Sequence, residues 1–253
     1  MYNKNFNFPE TAQVLGVAYG YQPSKSVRQH LTRDLVNHHS SQYADFSYFY
    51  KGTRASLSTN NEPLTLHPAM ASNEAIEHWP EPELAILLGD KHEIIGYTLA
   101  NDLTAQQLEM MGRSDEFDGT YYGKVWQGGG SFAREFISSD DLADPYALEI
   151  RMRIFRDDGV ICDRAYSTQK YRFIMKEVPA RILELHATFS DVPLSKKIDI
   201  GPDGYLPSGT LIMLGTGIIV KAAQYCRPGD RIEISSPGFS TLSNVINDAG
   251  SNG

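Results

Sequence analysis

Two apolar runs around one short polar break constrain this chain more than any other feature. Glu83-Leu-Ala-Ile-Leu-Leu88 stops at Gly89-Asp-Lys-His-Glu93 and resumes as Ile94-Ile-Gly-Tyr-Thr-Leu-Ala100. Runs of this length around a tight polar loop predict a β-hairpin. With Asp90–Glu93 as the loop, the register sets Glu83 opposite Ala100 and Glu81 opposite Asp102. Residues i and i+2 of a strand share a face, so Glu81 and Glu83 project together. Facing positions have Cβ atoms about 5 Å apart. Three acids therefore converge at the open end of the hairpin.

Carboxylates so arranged repel unless one is protonated or a cation sits between them. An all-carboxylate donor set suits a hard divalent ion, with Mg²⁺ the first choice and Mn²⁺ or Ca²⁺ as alternatives. By spacing alone, the same acids also fit a solvated strand end.

The rest of the chain is strand-dominated. Residues 13–19 and 46–51 read as strands, and 58–63 as a turn. Ser24 caps an expected helix to about His38, with Val27, Leu31 and Leu35 on one face. Residues 103–111 read as helical with Leu108 and Met111 inward, and 113–132 as a long irregular loop. A second hairpin runs from Leu148 through the Asp157-Asp-Gly159 turn into Val160-Ile-Cys-Asp163. Met175, Val178, Ile182, Leu185 and Phe189 form a helical stripe. Strands follow at 211–214 and 231–234, with Arg227-Pro-Gly-Asp230 placing Pro and Gly where a type II turn needs them. The elements do not alternate as βαβα, which argues against a doubly wound parallel sheet. No repeat or linker is evident.

The 253 residues suffice for one large domain, and 41% hydrophobic with 21% charged residues is ordinary for a folded protein. Lys plus Arg number 23 against 31 Asp plus Glu, and a net charge of −8 argues against non-specific nucleic-acid binding. No apolar run reaches the roughly 18 residues of a membrane span, and the N-terminus lacks a signal-peptide core. Only Cys162 and Cys226 are present, which excludes a disulfide scaffold and a structural cysteine–zinc site. These features lead to an expected reducing, cytoplasmic setting.

Glu81-Pro-Glu-Leu-Ala-Ile-Leu-Leu-Gly89 followed by Gly96-Tyr-Thr-Leu-Ala-Asn-Asp-Leu-Thr-Ala105 resembles the metal-binding core of the fumarylacetoacetate hydrolase superfamily. Gly123-Lys124 is similar to that family's lysine after the third metal acid. Gly209-Thr-Leu-Ile-Met-Leu-Gly-Thr-Gly217 is similar to its substrate-carboxylate loop, and Arg227–Ile234 with Gly238–Val245 to its closing hairpin. The likeness extends from about residue 14 to 246. Gly16–Arg28, Tyr48-Phe-Tyr-Lys51 and the stretch from Trp79 resemble the dehydratases of 2-keto-3-deoxy sugar acids within that superfamily. Three positions depart from the pattern: His30 and Leu31 stand where that group has acids, and Gln106 where an arginine is common.

The resemblance implies an α+β, strand-dominated fold: a mixed β-sandwich roll of the fumarylacetoacetate hydrolase C-terminal-domain type with few helices. A short strand–helix segment over 1–45 would pack on a catalytic domain over 46–253. Glu81, Glu83 and Asp102 would hold the metal. Lys124 would contact the keto oxygen of a 2-oxo acid or move a proton, and a lysine beside a metal can act as a base at lowered pKa. Thr216, Gly215, Gly217 and Lys51 would bind substrate. Assembly as a homodimer or larger homo-oligomer is implied, with neither nucleic acid nor membrane as partner.

His30 is a further candidate. In the expected helix Asp34 lies one turn on, and a carboxylate-oriented imidazole can take a C3 proton or activate water; a surface histidine fits the same pattern. His38 and His39 do not share a helical face. Tyr121, Tyr122 and Trp126 fit a pocket wall, the core or an interface equally. Neither a phosphate-binding glycine loop nor a serine-hydrolase elbow is present.

The expected activity is a metal-dependent hydro-lyase dehydrating a 2-keto-3-deoxy sugar acid through an enolate. The alternatives are a hydrolase cleaving a carbon–carbon bond in acylpyruvates or β-diketo acids, and a non-catalytic ligand-binding member.

Overall fold

The computed structural model describes residues 3–5, 9–18, 46–71, 76–112 and 117–248. The expected helix over 24–38 lies outside them, with His30, Asp34, His38, His39 and the domain boundary expected near residue 45.

Fifteen strands form the described fold. In chain order they are β1 (Asn3–Asn5), β2 (Gln13–Ala18), β3 (Ser47–Thr53), β4 (Leu64–Thr65), β5 (His78–Trp79), β6 (Pro82–Leu88), β7 (Ile94–Asp102) and β8 (Thr104–Ala105). They continue as β9 (Gly130–Phe132), β10 (Glu135–Ser138), β11 (Glu149–Arg156), β12 (Gly159–Ser167), β13 (Leu211–Met213), β14 (Arg231–Ser235) and β15 (Leu242–Asn247). Three short α-helices accompany them: α1 (Gln106–Met110), α2 (Gly119–Lys124) and α3 (Val178–His186).

The larger sheet has the order β1-β10-β7-β6-β13-β2-β3, with β9 also on β7. β2 is parallel to β13; the other pairings in this sheet are antiparallel. The second sheet runs β12-β11-β14-β15-β4, and β5 pairs with β8. The architecture is the expected strand-dominated mixed roll with few helices.

The hairpin forms in the expected register. Glu83 pairs with Ala100 and Pro82 with Asn101, up to a shift between Leu87 and Leu88. Lys91 and His92 turn the loop in left-handed backbone conformation. Leu84, Ile86 and Leu88 join Ile150, Met152 and Ile154 in the core between the sheets. Ala85, Leu87 and Ala100 join Val14, Phe132, Phe136, Leu211 and Met213 in a second cluster. Both faces are therefore buried, which explains the near-continuous apolar run. Burying one such Leu or Ile contributes about 1.5–3 kcal/mol. Strand alternation puts Glu83 on the face of Ala85 and Leu87, so the hairpin that builds the core also sets out the acids.

The second hairpin, β11–β12, turns at Asp157 and Asp158, both at positive φ as a two-residue hairpin loop requires. The Arg227–Asp230 turn closes with the Asp230 N–H donating to the Arg227 carbonyl at 3.1 Å, and Gly229 has φ +85°. In α3 the expected stripe is buried at Val178, Ile182 and Leu185, with Met175 just before it.

Two expectations need correction. Met111 is exposed, because α1 ends at Met110; Leu108 does pack on the core. Residues 113–132 are not irregular throughout. Asp118 caps α2, its side chain accepting from the Tyr121 N–H, and Gly130 begins β9. Trp126 is a core residue whose indole N–H donates to the Thr65 carbonyl at 2.8 Å. Both cysteines are free and buried. No helix among the described residues is long and apolar enough to cross a membrane.

Candidate active site

At the open end of β6–β7 the Asp102 N–H donates to the Glu81 carbonyl at 3.0 Å, and the Glu81 N–H to Asn101 Oδ1 at 3.0 Å. These bonds extend the ladder past Pro82 and lock Glu81 opposite Asp102. One carboxylate oxygen from each of Glu81, Glu83 and Asp102 lies within 4.8 Å of the others. Glu83 is 3% exposed and Asp102 wholly buried.

Two ammonium groups enter this acidic pocket from distant parts of the chain. Lys124 Nζ donates to Glu81 Oε2 at 2.6 Å, to Asp102 Oδ2 at 2.8 Å and to the Thr104 hydroxyl. The Thr104 hydroxyl in turn donates to Glu81 Oε2 at 2.9 Å. Lys51 Nζ lies 2.6 Å from Asp102 Oδ1 and contacts the carbonyls of Leu103, Lys124 and Gly129. The β2–β3 ladder steps from Val14–Gly52 to Leu15–Tyr50, so Lys51 is the extra residue of a β-bulge. A bulge of this kind re-aims a side chain. Lys51 was expected to bind substrate. With four acceptors around its three N–H groups and 1% exposure, it is instead a structural partner of Asp102.

Lys124 reaches the site because α1 and α2 pack backbone to backbone. A Cβ on Gly123 would lie 2.6 Å from the Glu109 nitrogen, and one on Gly119 would lie 2.6 Å from the Leu108 carbonyl. Any side chain there would separate the helices. Lys124 follows at the end of α2, 3% exposed, with Nζ 5.2 Å from the centroid of the Phe49 ring. Glu109 Oε1 stands 3.8 Å from the same nitrogen. Glu109 and Thr104 escaped the sequence reading; the glycines four residues apart in 119–123 were the available signal for close helix contact.

Burial raises the Glu81 carboxyl to about 7 against the pull of Lys124, and the charge of Asp102 adds to the rise. Burial, with Asp102 and Glu81 nearby, pushes Glu83 well above the usual carboxylate range. Burial also acts to raise Asp102, but the Lys124 and Lys51 ammoniums outweigh it and hold this carboxyl low. Desolvation works against the charge on Lys124, yet Asp102, Glu109 and Glu81 hold its pKa well above the ordinary lysine value. Those three acids keep the Lys124 ammonium protonated.

This donor set fits a hard divalent ion. Three oxygen ligands converge, and two of them resist ionisation until more positive charge arrives.

The 209–217 segment meets the hairpin at Glu83, whose Oε2 accepts from the Gly215 N–H at 2.6 Å. Tyr171 Oη donates to the Gly215 carbonyl at 3.1 Å, and Tyr166 Oη to the Pro82 carbonyl at 3.0 Å, bracing loop and strand together. The Gly215 amide is thereby committed to Glu83 and not to a substrate carboxylate. Thr216 Oγ1 accepts from the Ile218 N–H at 3.1 Å, which leaves its own O–H to donate. Thr216 and Gly217 are half-buried.

The fumarylacetoacetate (FAA) hydrolase C-terminal family matches residues 14–247. The chain is 27% identical over 166 residues to the 2-dehydro-3-deoxy-D-arabinonate dehydratase of Saccharolobus solfataricus, covering 64% of this chain and 47% of that protein. It is 30% identical over 170 residues to the probable 2-keto-3-deoxyxylonate dehydratase of Haloferax volcanii, covering 66% and 50%. The chain thus spans about half the length of these curated relatives. Among solved structures, the apo form of 2-keto-3-deoxy-D-arabinonate dehydratase superposes with a TM-score of 0.70 at 21% identity, covering 94% of this chain and 74% of that one. The same enzyme complexed with magnesium and 2,5-dioxopentanoate gives 0.68 at 21% identity, with the same coverage. Both structures establish likeness of fold. The strand-dominated roll and the match over nearly the whole length agree: this chain belongs to the fumarylacetoacetate hydrolase family, in the part described as its C-terminal domain.

Proposed function

We propose that this chain is a divalent-metal-dependent lyase that removes water from a 2-keto-3-deoxy sugar acid. The observation that carries the reading is the convergence of Glu81, Glu83 and Asp102 around one point, with the Lys124 ammonium beside it. The dehydratases among its relatives favour loss of water over cleavage of a carbon–carbon bond.

Glu81, Glu83 and Asp102 are the ligands, with Mg²⁺ the ion. When bound, the ion supplies a Lewis acid for the keto and carboxylate oxygens of a 2-oxo acid. Lys124 would turn one of the N–H groups it gives to Glu81, Asp102 and Thr104 toward the keto oxygen as negative charge develops there. Lys51 orients Asp102, and the Gly215 amide orients Glu83. The Thr216 hydroxyl and the Gly217 amide hold the substrate carboxylate. Phe49 walls the site beside Lys124 and keeps water from it.

Incubation of the protein and Mg²⁺ with 2-keto-3-deoxypentonates, 2-keto-3-deoxyhexonates and acylpyruvates, read by mass spectrometry, tests this. Dehydration yields a product 18 Da lighter than its substrate with the carbon chain intact. Two smaller acids would establish the hydrolase instead, and intact substrates throughout would leave a ligand-binding member.

A further inference from the structure

We infer that Glu109 is the acid–base group that takes the substrate's C3 proton and returns it to the departing hydroxyl, an assignment that rests on the dehydration reading. The reaction needs a base with access to the bound acid. Glu81, Glu83 and Asp102 are committed as ligands, and Lys51 is enclosed. Lys124 Nζ is taken up by Glu81 and Asp102, at 2.6 and 2.8 Å. Glu109 is the remaining acid at this site among the described residues. Its side chain is 31% exposed, against 4% for Lys124, and its Oε1 lies 3.8 Å from the Lys124 nitrogen. Of the two groups, Glu109 is the one open to solvent and so within reach of a bound acid.

Its position is built in. Glu109 sits on α1, and the contact of its backbone nitrogen with Gly123 ties it to the helix that carries Lys124. A carboxylate and an ammonium side by side can take the proton and meet the negative charge that enolisation creates.

The step balances without a co-reactant. The C3–H bond breaks, its proton passes to the Glu109 carboxylate, and its electron pair forms the C2–C3 double bond as the keto oxygen takes the charge. When the keto group reforms, the double bond shifts to C3–C4 and the C4–O bond breaks. Glu109 gives its proton to the leaving hydroxide. One water departs, and Glu109 ends as the carboxylate it began.

The test compares wild type, Glu109→Gln and Glu109→Asp with Mg²⁺ and a panel of 2-keto-3-deoxypentonates and 2-keto-3-deoxyhexonates in D₂O. NMR reads deuterium entry at C3 together with product formation, and titration calorimetry reads Mg²⁺ affinity. The expected result is a loss of about 10²–10⁴-fold in kcat and in C3 exchange for Glu109→Gln. Magnesium affinity and thermal midpoint should hold, with partial recovery in Glu109→Asp. A Glu109→Gln enzyme within tenfold of wild type overturns the assignment and leaves the dehydration reading standing. A parallel collapse of Mg²⁺ affinity overturns it too, by making Glu109 a ligand. Wild type that neither exchanges C3 nor releases water across the panel overturns both.

Discussion

Lys51 Nζ lies 2.6 Å from Asp102 Oδ1, and both side chains are shut off from solvent. Burial pulls the Lys51 pKa down, and the attraction of Asp102 opposes that pull. Removing one partner of such a pair leaves a buried charge uncompensated. Lys51→Met also strips the donor from three backbone carbonyls. The expected loss is about 3–5 kcal/mol of folding stability in urea unfolding. A loss under about 1 kcal/mol would show that Lys51 is not the anchor described.

Glu83→Gln keeps the side-chain shape, and an amide oxygen can still accept from the Gly215 N–H. It removes a ligand charge from the proposed metal site. In wild type, Mg²⁺ at one hundred times its dissociation constant should add about 2.7 kcal/mol of folding stability by binding the folded state, and so raise the thermal midpoint. EDTA should reverse the shift, and Glu83→Gln should abolish it while its metal-free midpoint stays near or above that of wild type. An unchanged magnesium response in the variant would exclude Glu83 as a ligand.

Gly123→Ala tests the helix contact that delivers Lys124. The added methyl would sit 2.6 Å from the Glu109 nitrogen, so backbone must move. Overpacking of this kind costs about 1–3 kcal/mol. Turnover should fall by more than that stability loss explains, because both Lys124 and Glu109 are displaced. Steady-state kinetics on the folded variant, set beside its unfolding curve, separates the two effects.

His78 gives stability a pH dependence away from the carboxylates. Burial lowers its pKa from 6.5 to about 4, and its Nε2 accepts the His67 N–H at 2.8 Å. Between these values the unfolded chain binds the proton more readily than the folded one. The neutral imidazole's contribution is therefore whole above pH 6.5 and is lost as pH falls through 4. The slope reaches at most about 1.4 kcal/mol per pH unit. Glu and Asp titrations add their own slopes, so the difference between wild type and His78→Gln isolates this one. Urea unfolding from pH 7 to pH 4 should show a shallower decline in the variant; parallel curves would exclude His78 as the source.

Local pattern was enough to set the register of β6 and β7, because a short polar loop between two apolar runs fixes which residues face each other. That register alone brought Glu81, Glu83 and Asp102 together, and the turns at Asp157–Asp158 and Arg227–Asp230 were equally plain in their residue types. The cations were another matter. Lys124 could be named from family likeness, but its charge state depends on three acids gathered from β7, α1 and the segment before β6. Lys51 turns inward on a bulge that no spacing announces. Glu109 reaches the site only because Gly119 and Gly123 let two short helices touch, and the Gly215 amide finds Glu83 across 132 residues of chain. Periodicity reports which face a residue occupies. Partnership between distant side chains follows from how the sheets and helices close on one another.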